Sequence, residues 1–319
     1  MKNTKTKFNF SGLLLKLKEK PIELYEERQH FVLKDLELDR SGKKVFVCDT
    51  YIKGIEAGIV ECNVLRLSNI ISIDHHAPLA MFARKISSVN LAIGWVNEMG
   101  IASDNDTVII THTDYDSLIT GLIMRGIVPP RKIFGDMAII ADHTGEENEM
   151  VDLLQSMSSA HDLEFSLRNL ELWSSGKPIE KEAFEMLEGL KDERRRAEEA
   201  AKNGSFKNVG SVYYAKLDKK IESAFLTALI PEAAIILTFS PHRKYSGFWE
   251  VKTRLGKAAP EGLRLNELGI DGFDQFWGGR WNAGSNRRGQ GTKIPIEEYA
   301  GLLNEKLEKH AKINREEKI

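Results

Sequence analysis

Four short runs of β-branched and aliphatic residues each stop at an acidic side chain: VFVCD (45–49), NIISID (69–74), DTVIITHTD (106–114) and MAIIAD (137–142). Continuous apolar runs of this length, with no polar alternation, are what strands covered on both faces look like. Segments with helical spacing lie between them, near 79–99 and 117–125. Strand and helix in alternation predict right-handed crossovers and a parallel sheet, hence an α/β fold. In open parallel sheets, ligands bind beyond the carboxyl ends of the strands. The acidic run ends are therefore where chemistry is expected.

The remainder of the chain has a different texture. With 319 residues there is room for two domains and a well-buried core. Residues 1–40 carry Leu and Phe at helical intervals and predict amphipathic helix. Residues 178–203 are dense in Glu, Lys, Arg and Ala, which reads as an exposed helix bridging two domains or as one closing the first. The expected division is a metal-binding catalytic domain over 1–177, a charged linker helix over 178–204 and a smaller α/β substrate domain over 205–319. In that last part SVYYAK (211–216), AIILTF (234–239) and FWEVKTR (248–254) predict strands, with a helix near Lys219–Leu229. Pro295 with Glu297 and Glu298 opens a final helix, whose charged end (304–319) is expected to fray. The active site is expected in the cleft between the domains.

Bulk properties exclude some classes. The formal net charge is −2, so the chain lacks the basic field that tracking a long duplex requires. A small or short phosphorylated molecule suits it better. No apolar stretch approaches the roughly 20 residues that cross a bilayer, so no membrane association is expected. The basic N-terminus has no cleavage pattern of a signal peptide. The two cysteines, Cys48 and Cys62, lack metal or disulfide spacing and predict a reducing, cytoplasmic setting. Cys48 reads as a small buried hydrophobe.

The four run ends carry Asp49; Asp74, His75 and His76; His112, Asp114 and Asp116; and Asp142 with His143. Four of the eight histidines fall there. Carboxylates and imidazoles without thiolate suit Mn²⁺, Mg²⁺ or Fe²⁺ better than structural zinc. One bridging carboxylate would offset the repulsion between two cations roughly 3.5–4 Å apart. Asp49 also reads as a simple turn or helix cap. His112, Asp114 and Asp116 alternate, so on a continuing strand they would share one face and repel without a cation. His30, His161 and His310 lie in charged or helical surroundings and are given no role.

At this point the motifs resemble a known family. IDHH (73–76) is similar to the signature of the DHH phosphoesterase superfamily, and THTDYDSLITGL (111–122) resembles its His and Asp-x-Asp motif. Asp49 resembles its bridging aspartate, AIIADHTG (138–145) its fourth motif, and FWGGRWNAGS (276–285) the glycine loop of its associated C-terminal domain. Two features depart from the family. The His and Asp-x-Asp motif follows the signature instead of preceding it, implying a circularly permuted strand order. His112 and Asp114 are separated by one residue where the family has three.

The resemblance implies a hydrolase with two divalent cations, Mn²⁺ first and Mg²⁺ or Co²⁺ as substitutes. It puts His112 and Asp114 on one cation, Asp49 between the two, and Asp116, His75 and Asp142 on the other. Asp74 would orient His75, His76 would face the phosphate, and a hydroxide held between the cations would attack phosphorus in line. Gly278, Gly279, Gly284, Arg280, Asn282 and Arg287 would bind the substrate's anionic groups; an ordinary glycine-rich turn remains the other reading of that loop. His242 and Arg243 read equally as cleft residues or as a surface turn, and Trp277 and Trp281 as packing of the loop. The expected substrate is a small nucleotide or a short single-stranded oligonucleotide, cut as a phosphodiester or phosphomonoester. Inorganic pyrophosphatase and a catalytically decayed nucleotide-binding regulator stay open as alternatives, as does a homodimer.

Overall fold

The computed structural model describes residues 8, 10–25, 31–32, 36, 43–77, 79–219 and 221–316. The fold is mixed α/β. The chain separates into two compact units: one holds the described residues up to His143 with Glu147–Leu190, the other Thr144–Glu146 and everything from Lys191 on. Among the described residues no helix is long and apolar enough to cross a membrane.

In the first unit the elements are α1 (Leu13–Glu19), β1 (Glu23–Leu24), β2 (Phe31–Val32), β3 (Val45–Cys48), β4 (Ile52–Lys53), β5 (Ile59–Glu61), β6 (Val64–Leu67) and β7 (Ile70–Ile73). Then follow α2 (Ser88–Met99), β8 (Thr107–Ile110), α3 (Tyr115–Met124), α4 (Lys132–Ile139), α5 (Glu149–Met157) and α6 (Leu163–Ser174). The main sheet has the order β1-β8-β3-β7-β6-β5. Its first four strands are parallel, and β7-β6-β5 form an antiparallel edge. Every residue of β3 and β7 is buried, as their unbroken apolar runs require. Phe46 of β3 meets Trp95 of α2 edge to face, with ring centroids 5.9 Å apart.

Three expectations need correction. MAIIAD is not a strand: Met137–Ile139 end α4, and Ile140–Thr144 form one π-helical turn. Four consecutive apolar residues do not discriminate between buried strand and buried helix. Here they continue a helix that buries Phe134, Gly135 and Ala138, and Gly135 lets it approach α2 so closely that a Cβ would meet the Asn90 side chain at 2.1 Å. DTVIITHTD is a strand only to Ile110, because Asp114 caps α3 by accepting the Ser117 N–H at 3.1 Å. His112, Asp114 and Asp116 therefore do not share a strand face. Part of the amphipathic helix expected over 1–40 lies outside the described residues; within them Leu13–Glu19 is helical, whereas Glu23–Leu24 and Phe31–Val32 are strands. Pro21 forces Lys20 out of the helical region and ends α1 there.

The β5–β6 hairpin carries no sequence cue. Cys62 and Asn63 both take positive φ (49° and 62°), the geometry of a tight two-residue turn usually marked by Asn-Gly. Cysteine at the first position hides it.

The charged helix α7 (Lys181–Lys202) carries the chain from one unit into the other. The second unit continues with β9 (Lys207–Val209), β10 (Val212–Lys216), α8 (Ser223–Leu229), β11 (Ile235–Pro241), β12 (Trp249–Leu255), β13 (Gly278–Gly279), β14 (Ala283–Ser285) and α9 (Ile296–Glu316). Its sheet has the order β13-β14-β12-β11-β10-β9, parallel only between β10 and β11. Leu237, Phe239 and Val251 pack with Tyr299 and Leu303 of α9 in a separate core. Asn286 and Asp274 organise one end of it. The Asn286 carboxamide accepts the Val251 N–H at 2.7 Å and donates to Asp274 at 2.8 Å, and Tyr299 donates to the same carboxylate at 3.0 Å.

Candidate metal centre

Four stretches of the first unit meet beyond the carboxyl ends of β3 and β7. Asp49 directly follows β3 in the left-handed region, φ 53°. That conformation costs a non-glycine residue about 1–2 kcal/mol and recurs where function demands it. Neighbours hold it: the Asp49 N–H donates to Ile73 at 2.9 Å, and the Thr50 hydroxyl bonds that of Thr111 at 2.6 Å.

His75 lies at the middle of the cluster. Its Nε2 is 3.3 Å from Asp142 Oδ2, 3.9 Å from Asp116 Oδ2 and 4.0 Å from Asp49 Oδ1. Its Nδ1 contacts the carbonyl oxygen of Ile86, and His143 Nε2 bonds the same oxygen at 2.9 Å. A carbonyl only accepts, so both of those nitrogens carry the hydrogen. In the neutral ring the remaining lone pair of His75 then sits on Nε2 and faces three carboxylates. Such an arrangement repels itself unless a proton or a cation lies between the partners.

The carboxyl groups carry the same signature. Burial, followed by the charges of Asp116, Asp114, Asp142 and Asp74, pushes Asp49 well above the usual carboxylate range. Asp116 is driven the same way by burial and by Asp142, despite two backbone N–H donors. Burial and Asp142 also raise Asp114. Groups that cannot all ionise alone can do so around divalent cations, and an oxygen and imidazole set without thiolate suits Mn²⁺ or Mg²⁺. Among the described residues, the ligand atoms of Asp49, His75 and His76 lie within 4.8 Å of one another, and so do those of His75, Asp142 and His143. His75 is common to both groups.

The N-terminus of α2 braces this cluster. Ser87 caps α2 in a reciprocal box with Asn90. The N–H groups of Ser88 and Val89 each donate to one oxygen of Asp116 at 2.9 Å, and the Ser88 hydroxyl donates to Asp49 Oδ1 at 2.8 Å.

Asp74 bonds a different partner from the one expected. It accepts from His76, at 2.7 Å from the ring Nδ1 and 3.0 Å from the backbone N–H, so it orients His76, whereas His75 is oriented by the Ile86 carbonyl. Burial works to raise Asp74, but the charge and hydrogen bonds of His76 outweigh it and leave the carboxyl below its ordinary value. His112 is half-buried with Nδ1 at 3.0 Å from the Thr111 hydroxyl. It reaches the cluster through its charge on Asp114 and belongs to neither compact ligand group. His143 is the member that the expected ligand set left out; its signal was its place directly after Asp142.

The remaining predicted site residues lie in the second unit. Gly278 and Gly279 pair with Ser285 and Gly284 in a hairpin at the sheet edge, and Arg280 N–H donates to Ala283 at 2.8 Å to close it. Asn282 is buried, and its carbonyl accepts the Leu255 N–H at 2.9 Å. Packing accounts for two of the glycines. A Cβ on Gly279 would meet the Gly284 Cα at 2.4 Å, and one on Gly284 would meet the Trp277 ring at 2.3 Å. Trp277 is itself held by its indole N–H on Thr253 at 2.9 Å. Gly284→Ala is accordingly expected to cost about 1–3 kcal/mol, the usual range for overpacking, read as a lower urea midpoint for the second unit. Unchanged stability would show that the hairpin relaxes.

His242 is buried and serves a turn: its Nδ1 accepts the N–H groups of Lys244 and Tyr245 at 3.1 and 3.2 Å, and its Nε2 bonds Gly289 at 3.2 Å. Cys48 is fully buried and its thiol is pushed up by that burial, as a small core residue would be.

No family model matches the chain, and no curated protein matches its sequence. Solved structures similar to it include a pGpG-specific phosphodiesterase, PggH of Vibrio cholerae, at 11% identity and a TM-score of 0.38, covering 64% of this chain and 79% of that one. An exopolyphosphatase-related protein of Bacteroides fragilis is similar at 13% identity and a TM-score of 0.34. There the alignment covers 76% of this chain and 64% of the other, so this chain spans under two thirds of that protein's length.

Proposed function

We propose that this chain is a metal-dependent phosphoesterase acting on a nucleotide-type phosphodiester or phosphomonoester. The observation that carries the reading is the imidazole of His75, with Asp49, Asp116 and Asp142 all within 4.0 Å of its Nε2 although they come from three other stretches of sequence. These stretches are the ones whose motifs resemble the DHH phosphoesterases.

Asp49, His75, Asp142 and His143 would hold divalent cations, with Mn²⁺ the first candidate, and Asp114 and His112 lie beside them. Cations bound there would neutralise phosphate charge and lower the pKa of water. The rest is the work of the chain itself. Asp116 ties the cluster to the helix behind it, and Ser88 fixes the rotamer of Asp49. His76 donates through Nδ1 to an ionised Asp74, which leaves its Nε2, on a side chain 35% exposed, to take up the proton of the attacking water and pass it to the leaving oxygen. Arg280 and Arg287 of the second unit are proposed to bind anionic groups of the substrate.

Release of product from a labelled dinucleotide in Mn²⁺, compared with phosphate release from pyrophosphate, tests the reading. Cleavage of the dinucleotide supports it; cleavage of pyrophosphate alone, or of neither, rejects it. His76→Ala is expected to lower turnover by about 10²–10⁴-fold, the share of a positioned acid or base, while calorimetry still finds the cations. Turnover near the original rate in that variant would remove His76 from the mechanism.

A further inference from the structure

The turn that presents Asp142 and His143 is followed by chain without regular structure. Ile140–Thr144 make one π-helical turn at the end of α4, and residues 145–148, the last of which caps α5, belong to no helix or strand. Single π turns of this kind recur at functional sites. The end of such a turn leaves main-chain carbonyls without helical partners. Ligands on it keep their place only if other groups take up those oxygens.

Side chains of the second unit do so. Thr144–Glu146 belong to that unit, and the carbonyls of all three residues are held within it. The Arg194 guanidinium of α7 donates through Nη1 to the Gly145 oxygen at 2.6 Å and through Nη2 to the Glu146 oxygen at 3.1 Å. The Thr227 hydroxyl of α8 shares its one hydrogen between the carbonyls of Thr144, at 2.8 Å, and Ala224, at 2.6 Å. Arg194 is steadied in turn by the ring of Phe225, whose centroid lies 4.0 Å from the guanidinium carbon. Gly145 is pressed against α8. It takes φ 63°, and a Cβ there would meet the Ala224 oxygen at 2.1 Å. A charged fork on two successive carbonyls is stronger and more directional than neutral pairing.

We infer that Arg194, with Thr227 beside it, is a positioning residue of the metal centre, acting through the main chain of Thr144–Glu146 on Asp142 and His143. Ligand distances at metal sites hold to within about 0.2 Å. Thr144 is bonded directly to His143, so releasing its segment moves both ligands by more than that. Asp142 would then leave its place 3.3 Å from His75 Nε2. The inference rests on the metal-dependent reading of the centre.

Calorimetric titration of the full chain with Mn²⁺ is the experiment, beside amide hydrogen exchange of residues 140–146 in EDTA. Arg194→Ala is expected to bind Mn²⁺ about 10–100-fold more weakly, the usual effect of losing a group that orients ligands from outside. It should also exchange faster over 140–146 without any cation. Arg194→Lys keeps the charge but not the fork and recovers part of the affinity. Arg195→Ala, on the exposed neighbour that pairs with Asp192, leaves both readouts unchanged. Gly284→Ala lowers the stability of the same unit away from this segment and leaves Mn²⁺ affinity unchanged, so lost stability alone does not imitate the effect. Should Arg194→Ala not fold, Thr227→Val removes only a hydroxyl and is expected to weaken Mn²⁺ by a smaller factor. Affinity in the folded Arg194 or Thr227 variant equal to that of the unaltered chain, or an equal loss in Gly284→Ala, would overturn this inference alone. An unaltered chain that binds no Mn²⁺ would reject the metal-dependent reading and the inference with it, whatever the exchange rates show.

Discussion

Replacing His75 by alanine is expected to abolish cation binding and phosphoester cleavage together. Bound cations contribute several kcal/mol of transition-state stabilisation. At 1.36 kcal/mol for each factor of ten, their loss lowers turnover by roughly 10³-fold or more. His75 Nε2 lies within 4.0 Å of Asp49, Asp116 and Asp142 at once. The fold should survive, because the Ile86 carbonyl that His75 contacts also accepts from His143. Calorimetric titration with Mn²⁺ and a dinucleotide cleavage assay on the folded variant decide the matter. Cation heats and turnover close to those of the unaltered chain would leave the proposed centre without its middle ligand.

Asp116→Ala is expected to have its main effect on stability. The change strips the acceptors from the Ser88 and Val89 N–H groups, both buried in the first turn of α2. A buried donor left without a partner costs about 1–3 kcal/mol, so the pair costs about 2–6 kcal/mol. Relief of repulsion works the other way, since Asp116 faces Asp142 and Asp114. That relief is small in the cation-free protein, where burial and Asp142 already push the carboxyl toward its protonated form. Loss of the acceptors therefore wins. Asp116→Asn keeps one accepting oxygen and should lose about half as much. Urea unfolding of the first unit, followed through its tryptophans, measures both. A loss below about 1 kcal/mol for alanine, under the cost of one orphaned donor, would mean that α2 finds other partners.

The two variants separate roles that the sequence presents as one. His75 and Asp116 both stand among ionisable residues near run ends and look alike there. In the structure His75 faces inward with a lone pair and no acidic hydrogen to spare, whereas Asp116 spends both oxygens on a helix N-terminus. That difference depends on Ser88 and Val89 being brought 28 and 27 residues back along the chain to meet it. No periodicity or motif spacing records such a meeting.

Legibility of the site followed the range of the interactions involved. Asp49, Asp74, His75 and His76 were readable because strands buried on both faces must be unbroken apolar runs, and chemistry collects where they end. The strand expected before Asp142 is a helix, and a π-helical turn, not a strand end, brings Asp142 to 3.3 Å from His75 Nε2. Strand and helix were indistinguishable over four apolar residues, and the helix won because Gly135 lets it pack against α2. The glycine hairpin was visible in composition. Its reason was not, since the ring of Trp277 demands Gly284 through contact alone.

Sequence alone thus determined the α/β class, because burial on both faces dictates local composition, and it singled out the ionisable residues at the run ends as candidates. The tertiary structure alone decided which of those residues face each other. It joined His75 and His143 through one carbonyl oxygen, tied Asp74 to His76, and turned Asp116 toward a helix end. Hydrogen bonds and repulsions of that kind act over a few ångströms between segments far apart in the chain, and composition carries no trace of them.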